Sequence, residues 1–351
     1  MGINASLEND NDLFNQMASV IFDNDGDDGM LNIFSYNTGK VMKSEIFDQP
    51  GLWVHLVDPT PEEITDVSTR FGIKPTLISA SLDFDKNSRI EVGEDQLLIL
   101  INIPYREDKG PFVTYNTMPF GMIFTEQLLL TVALKDNEVI HRVVEVNDQN
   151  IKDKTTLAFL ILSQMIELYQ KYLKEIERKS TVIEQYINKS LKNEELIKLV
   201  NLEQSLVYFS TALSSNEMVL EKLLNAYLRK RHNEKSMMIK RILEDDEERR
   251  EYLEDLIVEN KQAMTLIDIY TNILSNTMDA FASIISNNLN IVMRFLTMVT
   301  IALAIPSIVT GFFGMSIPLP FQSAPFAYLW VGTISVLLIA VITLLISKKR
   351  F

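Results

Sequence analysis

The chain contains no cysteine, which excludes disulfides and thiolate-held metals and agrees with a body kept in a reducing cytoplasm. Histidine is scarce: His55, His141 and His232 are the three copies, and none has a partner at metal-ligand spacing. No catalytic constellation is legible around them, and the chain does not read as an enzyme. A Gly-rich loop ending in Gly-Lys-Ser or Gly-Lys-Thr is also missing, which removes nucleotide hydrolysis as a driving force. Neither proline nor glycine occurs from residue 153 to residue 305, so neither breaker interrupts helix there. Bases are outnumbered by acids, 33 against 47, for a formal net charge of -14. That surface repels nucleic acid and attracts cations, although solubility alone also calls for charge.

What is present in excess is apolar length at the C-terminal end. Ile291 to Phe313 is interrupted only by Arg294 and hydroxyl residues, and Phe326 to Ile346 carries no charge. Each reaches the roughly 20 residues that cross a bilayer core. Both are expected to be transmembrane helices, a buried hairpin in a soluble protein being the other reading. Lys348, Lys349 and Arg350 follow the second run, whereas "GMSIPLPFQSAP" between the runs has no base. The positive-inside rule then puts both termini in the cytoplasm and the short loop outside. The start, "MGINASLENDNDLF", lacks the basic and apolar regions of a signal peptide. Its Gly2 and Ser6 fit the short myristoylation pattern, but two spans already supply an anchor.

Residues 1–29 read as a flexible lead-in, whose "DNDGDDG" is too short for a calcium loop ending in Glu. Residues 30–152 alternate between strand and helix patterns. "MLNIFSY", "LWVHLVD", "LLILINIPY", "MPFGMIFT" and "LLLTVAL" are predicted strands. "TPEEITDVSTRFG" is a predicted helix, with a Thr N-cap, Pro61 in the first turn and Gly72 at the end. Residues 153–235 predict two helices folded back on each other, broken near "NKSLKNEE" and ending near "RKRHNEKS". Residues 236–290 predict a stalk that runs on into the first span, 291–313; together they would be on the order of 100 Å long. Leu256, Ala263, Ile267, Leu274, Phe281 and Ile284 recur along the stalk and suggest association with partner helices. The loop 314–325, the second span 326–346 and a basic tail 347–351 complete an α+β chain with an N-terminal αβα domain.

Inside the first span, steps of three and four connect Asn290, Met293, Thr297, Thr300, Ala304, Ser307 and Gly311. Polar side chains in a lipid-bound helix need a reason. Repeated around a symmetry axis, the stripe becomes a stack of rings that would pass hydrated ions, with Met293 and Leu296 as a constriction that gates by dewetting. Small and hydroxyl residues also serve helix packing, and the pattern alone does not separate the two readings. Two spans per chain cannot enclose an aqueous path, so a pore requires an oligomer.

With the stripe, "NIVMRFLTMVTIALAIPSIVTGFFGMS", the uncharged loop, the second span and the "KKR" end, the chain resembles the CorA-type divalent metal transporters. "LWVHLVDPTPEEITDVSTRFGI" looks like that family's N-terminal αβα domain. The resemblance implies a homopentameric funnel in the cell membrane of a prokaryote, with lipid and its own copies as partners. It implies a divalent cation as substrate, Mg2+ first and Co2+ or Ni2+ after it, and no organic cofactor. The family's Gly-Met-Asn motif is matched by Gly314, Met315 and Ser316, so a shorter hydroxyl stands where an amide usually holds the incoming hydrated ion. Lys348, Lys349 and Arg350 would form a basic ring at the cytoplasmic end. A regulatory metal site would draw on Asp255, with Asp83 and Asp85 opposite, where the family's expected acid is replaced by Ser79 and Ala80. The alternatives are a Zn2+ transporter like the superfamily's zinc branch, proton-coupled or not, and a non-conducting membrane scaffold or sensor.

Overall fold

The computed structural model describes residues 30–36, 41–43, 51–84, 86–93, 95–109, 112–146, 151–187, 193–228, 239, 247–315 and 326–348. The chain divides after Ser275 into two units. Among the described residues the first holds seven strands: β1 (Met30–Ser35), β2 (Met42–Lys43), β3 (Leu52–Val57), β4 (Arg89–Val92), β5 (Leu97–Lys109), β6 (Phe112–Phe124) and β7 (Leu128–Ala133). They form one sheet in the order β2-β1-β3-β7-β6-β5-β4. Only β3 and β7 pair in parallel, with Val54 opposite Leu130; the other neighbours are antiparallel. Every residue of β3 and β7 is buried, as expected of central strands with both faces covered.

One face is covered by α1 (Pro61–Phe71) and α2 (Pro75–Ser81). The start of α1 is a complete capping box: the Glu63 N–H donates to the Thr60 hydroxyl at 3.2 Å, and the Thr60 N–H to the Glu63 carboxylate at 2.7 Å. Its end is set by Gly72 at φ 64°, a left-handed position that costs a glycine nothing. Val67, Ile73 and Ile78 then pack on Val54, Leu56, Leu98 and Leu130. Each such side chain, removed from water, contributes roughly 1.5–3 kcal/mol. α2 lies so close to β6 that a Cβ on Gly121 would sit 1.9 Å from the Ser81 hydroxyl oxygen.

The other face carries α3 (Glu138–Glu145), α4 (Lys154–Ile187) and α5 (Asn193–Leu228). A polar lock holds α5 to the sheet. The Asn216 carboxamide accepts from the Asn102 N–H at 2.8 Å and donates to the Asn102 carbonyl at 2.8 Å, so it stands in for a strand partner. Ser88 donates to the same amide oxygen at 2.8 Å, and Tyr169 of α4 donates to the Asn102 carbonyl at 2.9 Å. The layering is therefore αβα.

The longest element, α6 (Glu247–Phe313), passes unbroken through Ser275 from the first unit into the second. In the first unit its apolar face is covered by the chain's own helices. Leu256, Ala263, Ile267 and Leu274 are buried there. The Asn260 amide donates to the Leu213 carbonyl of α5, Ser275 to Glu203, and Tyr252 stacks on Phe159 of α4 at 6.0 Å. This corrects the expectation that these positions await partner helices: the apolar period marked a packed face, and the α4/α5 hairpin supplies the packing. Phe281 is buried as well, whereas Ile284 is exposed. The second unit comprises the rest of α6 and α7 (Ala327–Lys348). Among the described residues, α6 contains the one stretch long and apolar enough to cross a membrane, with 6% of it buried. The leader 1–29, most of the loop 314–325 and most of 236–246 lie outside the described residues.

Candidate functional site

Ile305 and Val309 are buried, as is Ser335 of α7. Asn290, Met293, Leu296, Thr297, Thr300, Ala304, Ser307 and Gly311 are all exposed. At about 100° per residue, Ser307 and Gly311 point well away from the Ile305/Val309 seam. The polar and small residues are thus not buried within the chain. Their side chains are free for an axis, a neighbour or solvent.

The hydroxyls have a common geometry. Thr297 donates to the Met293 carbonyl at 2.8 Å, Thr300 to Leu296 at 2.9 Å, and Ser307 to Leu303 at 3.2 Å. With its proton committed to the helix, each oxygen offers only lone pairs outward. An acceptor-only row matches the first shell of a hydrated cation, whose waters point hydrogens outward. Met293 and Leu296, more than half exposed, put an apolar band among these acceptors. Pro306 has no N–H for the Ala302 carbonyl, yet the helix continues to Phe313. Thr310 steadies the next turn by donating to the Pro306 carbonyl at 2.8 Å.

The helix ends at the first residue of the motif. The Gly314 N–H donates to the Thr310 carbonyl at 2.9 Å, and a Cβ on Gly314 would stand 3.1 Å from that oxygen. Met315 follows, 45% exposed. Ser316, Asp85, Lys349 and Arg350 lie outside the described residues; Lys348 is the last residue of α7.

Two acids of the expected regulatory site, Asp255 and Asp83, are among the described residues. Asp255 is exposed on α6, and Asp83 pairs with Lys86 at 3.3 Å. Among the described residues no three carboxylate or imidazole groups are grouped to hold a metal. Asp255 does belong to a negative neighbourhood that sequence reading missed. Burial raises the Glu259 pKa above the usual carboxylate value, and Glu167 of α4 and Asp255 raise it further. The two helices supplying it are far apart in sequence, so no local pattern could announce it. A second missed link joins α6 to α4. Asp153 caps α4 by accepting from the Thr155 and Thr156 N–H groups, each at 2.9 Å, and also takes the Arg249 guanidinium.

His55 and His141 serve structure. His141 pairs with Asp136 at 2.8 Å on the surface. His55 is fully buried beside Thr131, and burial pushes its pKa down to about 4. His232 lies outside the described residues.

Comparison with known proteins places this geometry in context. The family model described as CorA-like Mg2+ transporter protein matches residues 48–350. The Cobalt/magnesium transport protein CorA of Methanocaldococcus jannaschii is 27% identical over 305 residues, covering 85% of this chain and 90% of the relative. A Magnesium transport protein CorA of Helicobacter pylori is 21% identical, covering 82% and 88%. The complete structure of the CorA magnesium transporter from Methanocaldococcus jannaschii superposes with a TM-score of 0.74 at 24% identity, covering 92% of this chain and 98% of that one.

Proposed function

Since the chain belongs to the CorA-like Mg2+ transporter family, we propose that it assembles as a homopentamer in the cell membrane and passes hydrated Mg2+ down its electrochemical gradient. Co2+ is the next candidate substrate, because the relative from Methanocaldococcus jannaschii is named for both ions. The observation that carries this reading is the exposed row of back-bonded hydroxyls on α6, set away from the buried Ile305/Val309 seam.

In the pentamer the row becomes rings. Asn290 forms an amide ring at the cytoplasmic mouth, and Met293 and Leu296 form the constriction that empties of water when the path is shut. Thr297, Thr300, Ala304, Ser307 and Gly311 line the path beyond. Gly314 and Met315 end the helix at the outer mouth, where Ser316 meets the ion. Mg2+ gives up its water reluctantly, so oxygens that accept from its hydration shell select it without stripping it. A seryl ring reaches less far inward than an amide ring and selects less sharply. The membrane potential suffices as driver, at about 2.3 kcal/mol per charge per 100 mV. α7 is the second span, with Lys348, Lys349 and Arg350 at the cytoplasmic surface. Asp255, with Asp83 and Asp85 of a neighbouring subunit, forms the inhibitory cation site.

The test is uptake of Mg2+, Co2+ and Zn2+ into proteoliposomes, comparing the native chain with Ser316→Asn. Native Mg2+ uptake that the variant makes more selective supports the reading. Uptake of Zn2+ alone would assign the chain to zinc transport. No uptake of any cation by either protein would leave a scaffold.

A further inference from the structure

The last turns of α4 and the first of α5 border a concave site, remote in sequence from the C-terminal apolar helices. A cavity of about 400 Å³ is lined by Val113, Val182, Ile183 and Leu202, and by Arg178, Lys179 and Lys198. Among the described residues no carboxylate lines it. In a chain whose net charge is -14, three cations around an apolar hollow are not an ordinary solubilising face.

The cations differ in how far they are satisfied. Lys198 already pairs with Glu195 at 2.9 Å. Lys179 donates to the Tyr115 hydroxyl at 2.7 Å and lies 4.8 Å over its ring, which leaves two ammonium hydrogens. Arg178 has no carboxylate or hydrogen-bond partner among the described residues, so its guanidinium fork is uncommitted. Burial lowers the Lys179 pKa, and the positive charges of Arg106 and Arg178 lower it further, against Glu175 and Asp108. Arg178 also borders an open cleft lined by Arg142, Lys171 and Lys174 together with Glu167 and Glu175, so the Arg178 guanidinium lies at the mouth of the hollow.

We propose that this hollow binds an anionic amphiphile, with a hydrocarbon chain against Val113, Val182, Ile183 and Leu202 and a terminal oxyanion on Arg178 and Lys179. The chemistry is shared by a free fatty acid and by the phosphate end of an anionic membrane lipid. A polar polyanion would leave the four aliphatic side chains wet, and an uncharged apolar ligand would leave the Arg178 fork unpaired.

The absence of native cysteine makes a single reporter available. The full chain carrying Asn201→Cys, labelled with a trifluoromethyl group and held in zwitterionic-lipid nanodiscs, is titrated with octanoate while the fluorine resonance is followed. Saturable binding is expected, with octanol and acetate at least tenfold weaker. Arg178→Glu weakens octanoate at least tenfold and Arg178→Lys by much less. Nanodiscs containing phosphatidylglycerol separate the sources: a resonance already shifted before octanoate is added identifies membrane lipid as the occupant, and an unshifted one identifies the free acid. The proposal is overturned if octanoate gives no saturable shift, if octanol matches it, or if Arg178→Glu binds as the native chain does. None of these readouts depends on ion flux, so they stand or fall separately from the transport reading.

Discussion

Ile305 and Ser307 lie two positions apart on α6, and the first is buried while the second is exposed. Successive helix residues turn by about 100°, so these two are roughly 200° apart and face opposite ways. The buried Ile305/Val309 strip and the polar row are therefore separate surfaces of one helix, open to separate perturbation. Thr300→Val keeps the shape of the side chain and removes the oxygen. We expect Mg2+ uptake to fall about tenfold, equivalent to about 1.4 kcal/mol on the barrier, with the oligomer intact by size-exclusion chromatography. Ile305→Ala should do the reverse, leaving the row in place and lowering the thermal stability of the detergent-solubilised protein. Equal uptake by Thr300→Val and the native chain would remove the hydroxyl row from the permeation path.

The Asn216 carboxamide of α5 bonds both backbone groups of Asn102, the N–H and the carbonyl. Asn216→Ala strands the Asn102 N–H in the interior and deprives Ser88 of its acceptor. A buried polar group left unpaired costs about 1–3 kcal/mol. A loss of about 3 kcal/mol in urea unfolding is expected for Asn216→Ala, and a value near zero would show that water restores the lost bonds.

Gly121 is required by proximity rather than by backbone conformation. A methyl group there would overlap the Ser81 hydroxyl at 1.9 Å and its Cβ at 2.4 Å. Gly121→Ala must therefore push α2 off β6, at a cost of about 1–3 kcal/mol. Ser81→Gly removes both clashing atoms, so the double variant should recover much of that loss. Strict additivity in the double-mutant cycle would mean that the two sites do not touch.

Much of this was legible in the sequence, and what was not has physical reasons. The central strands β3 and β7 are apolar runs broken only by His55 and Thr131, and α1 announces itself through Thr60, Pro61, Glu63 and Gly72. β2 was not legible because two exposed residues carry no period, and β4 because all four of its residues are only partly buried. Along α6 the period of Leu256, Ala263, Ile267 and Leu274 disclosed a buried face but not what buries it. Periodicity records the burial and not the partner, and here the partner is the same chain. The polar row of the site was fully visible at steps of three and four. Its back-bonded hydroxyls and its separation from the Ile305 seam required coordinates. The Asn102–Asn216 lock spans 114 residues and leaves no local signature.

His55 provides the last test, because its stability effect has a definite sign. Its Nδ1 lies 2.9 Å from the Thr131 hydroxyl, which also accepts from the Trp53 indole at 2.9 Å and lies 3.3 Å from the Val54 carbonyl. All bonds are made if Nδ1–H donates to Thr131 and Thr131 donates to Val54. Nε2 is then a bare acceptor without a partner among the described residues. Protonating it would bury a charge with nothing to receive the hydrogen. Burial accordingly holds the pKa at about 4 against 6.5, Asp136 opposing the shift and His141 adding to it. Between those values the unfolded chain binds a proton that the folded chain refuses. The contribution is thus fully present above pH 6.5, declines as pH falls, and is gone below about pH 4. Its size is about 3 kcal/mol, at about 1.4 kcal/mol per pH unit. His55→Leu leaves Thr131 its bonds to Trp53 and Val54 and abolishes the titration. Urea unfolding of the Trp330→Phe background, followed by Trp53 fluorescence, should lose stability steeply from pH 6.5 to pH 4 with His55 and less steeply with Leu. Identical slopes would mean that His55 is protonated in the folded core.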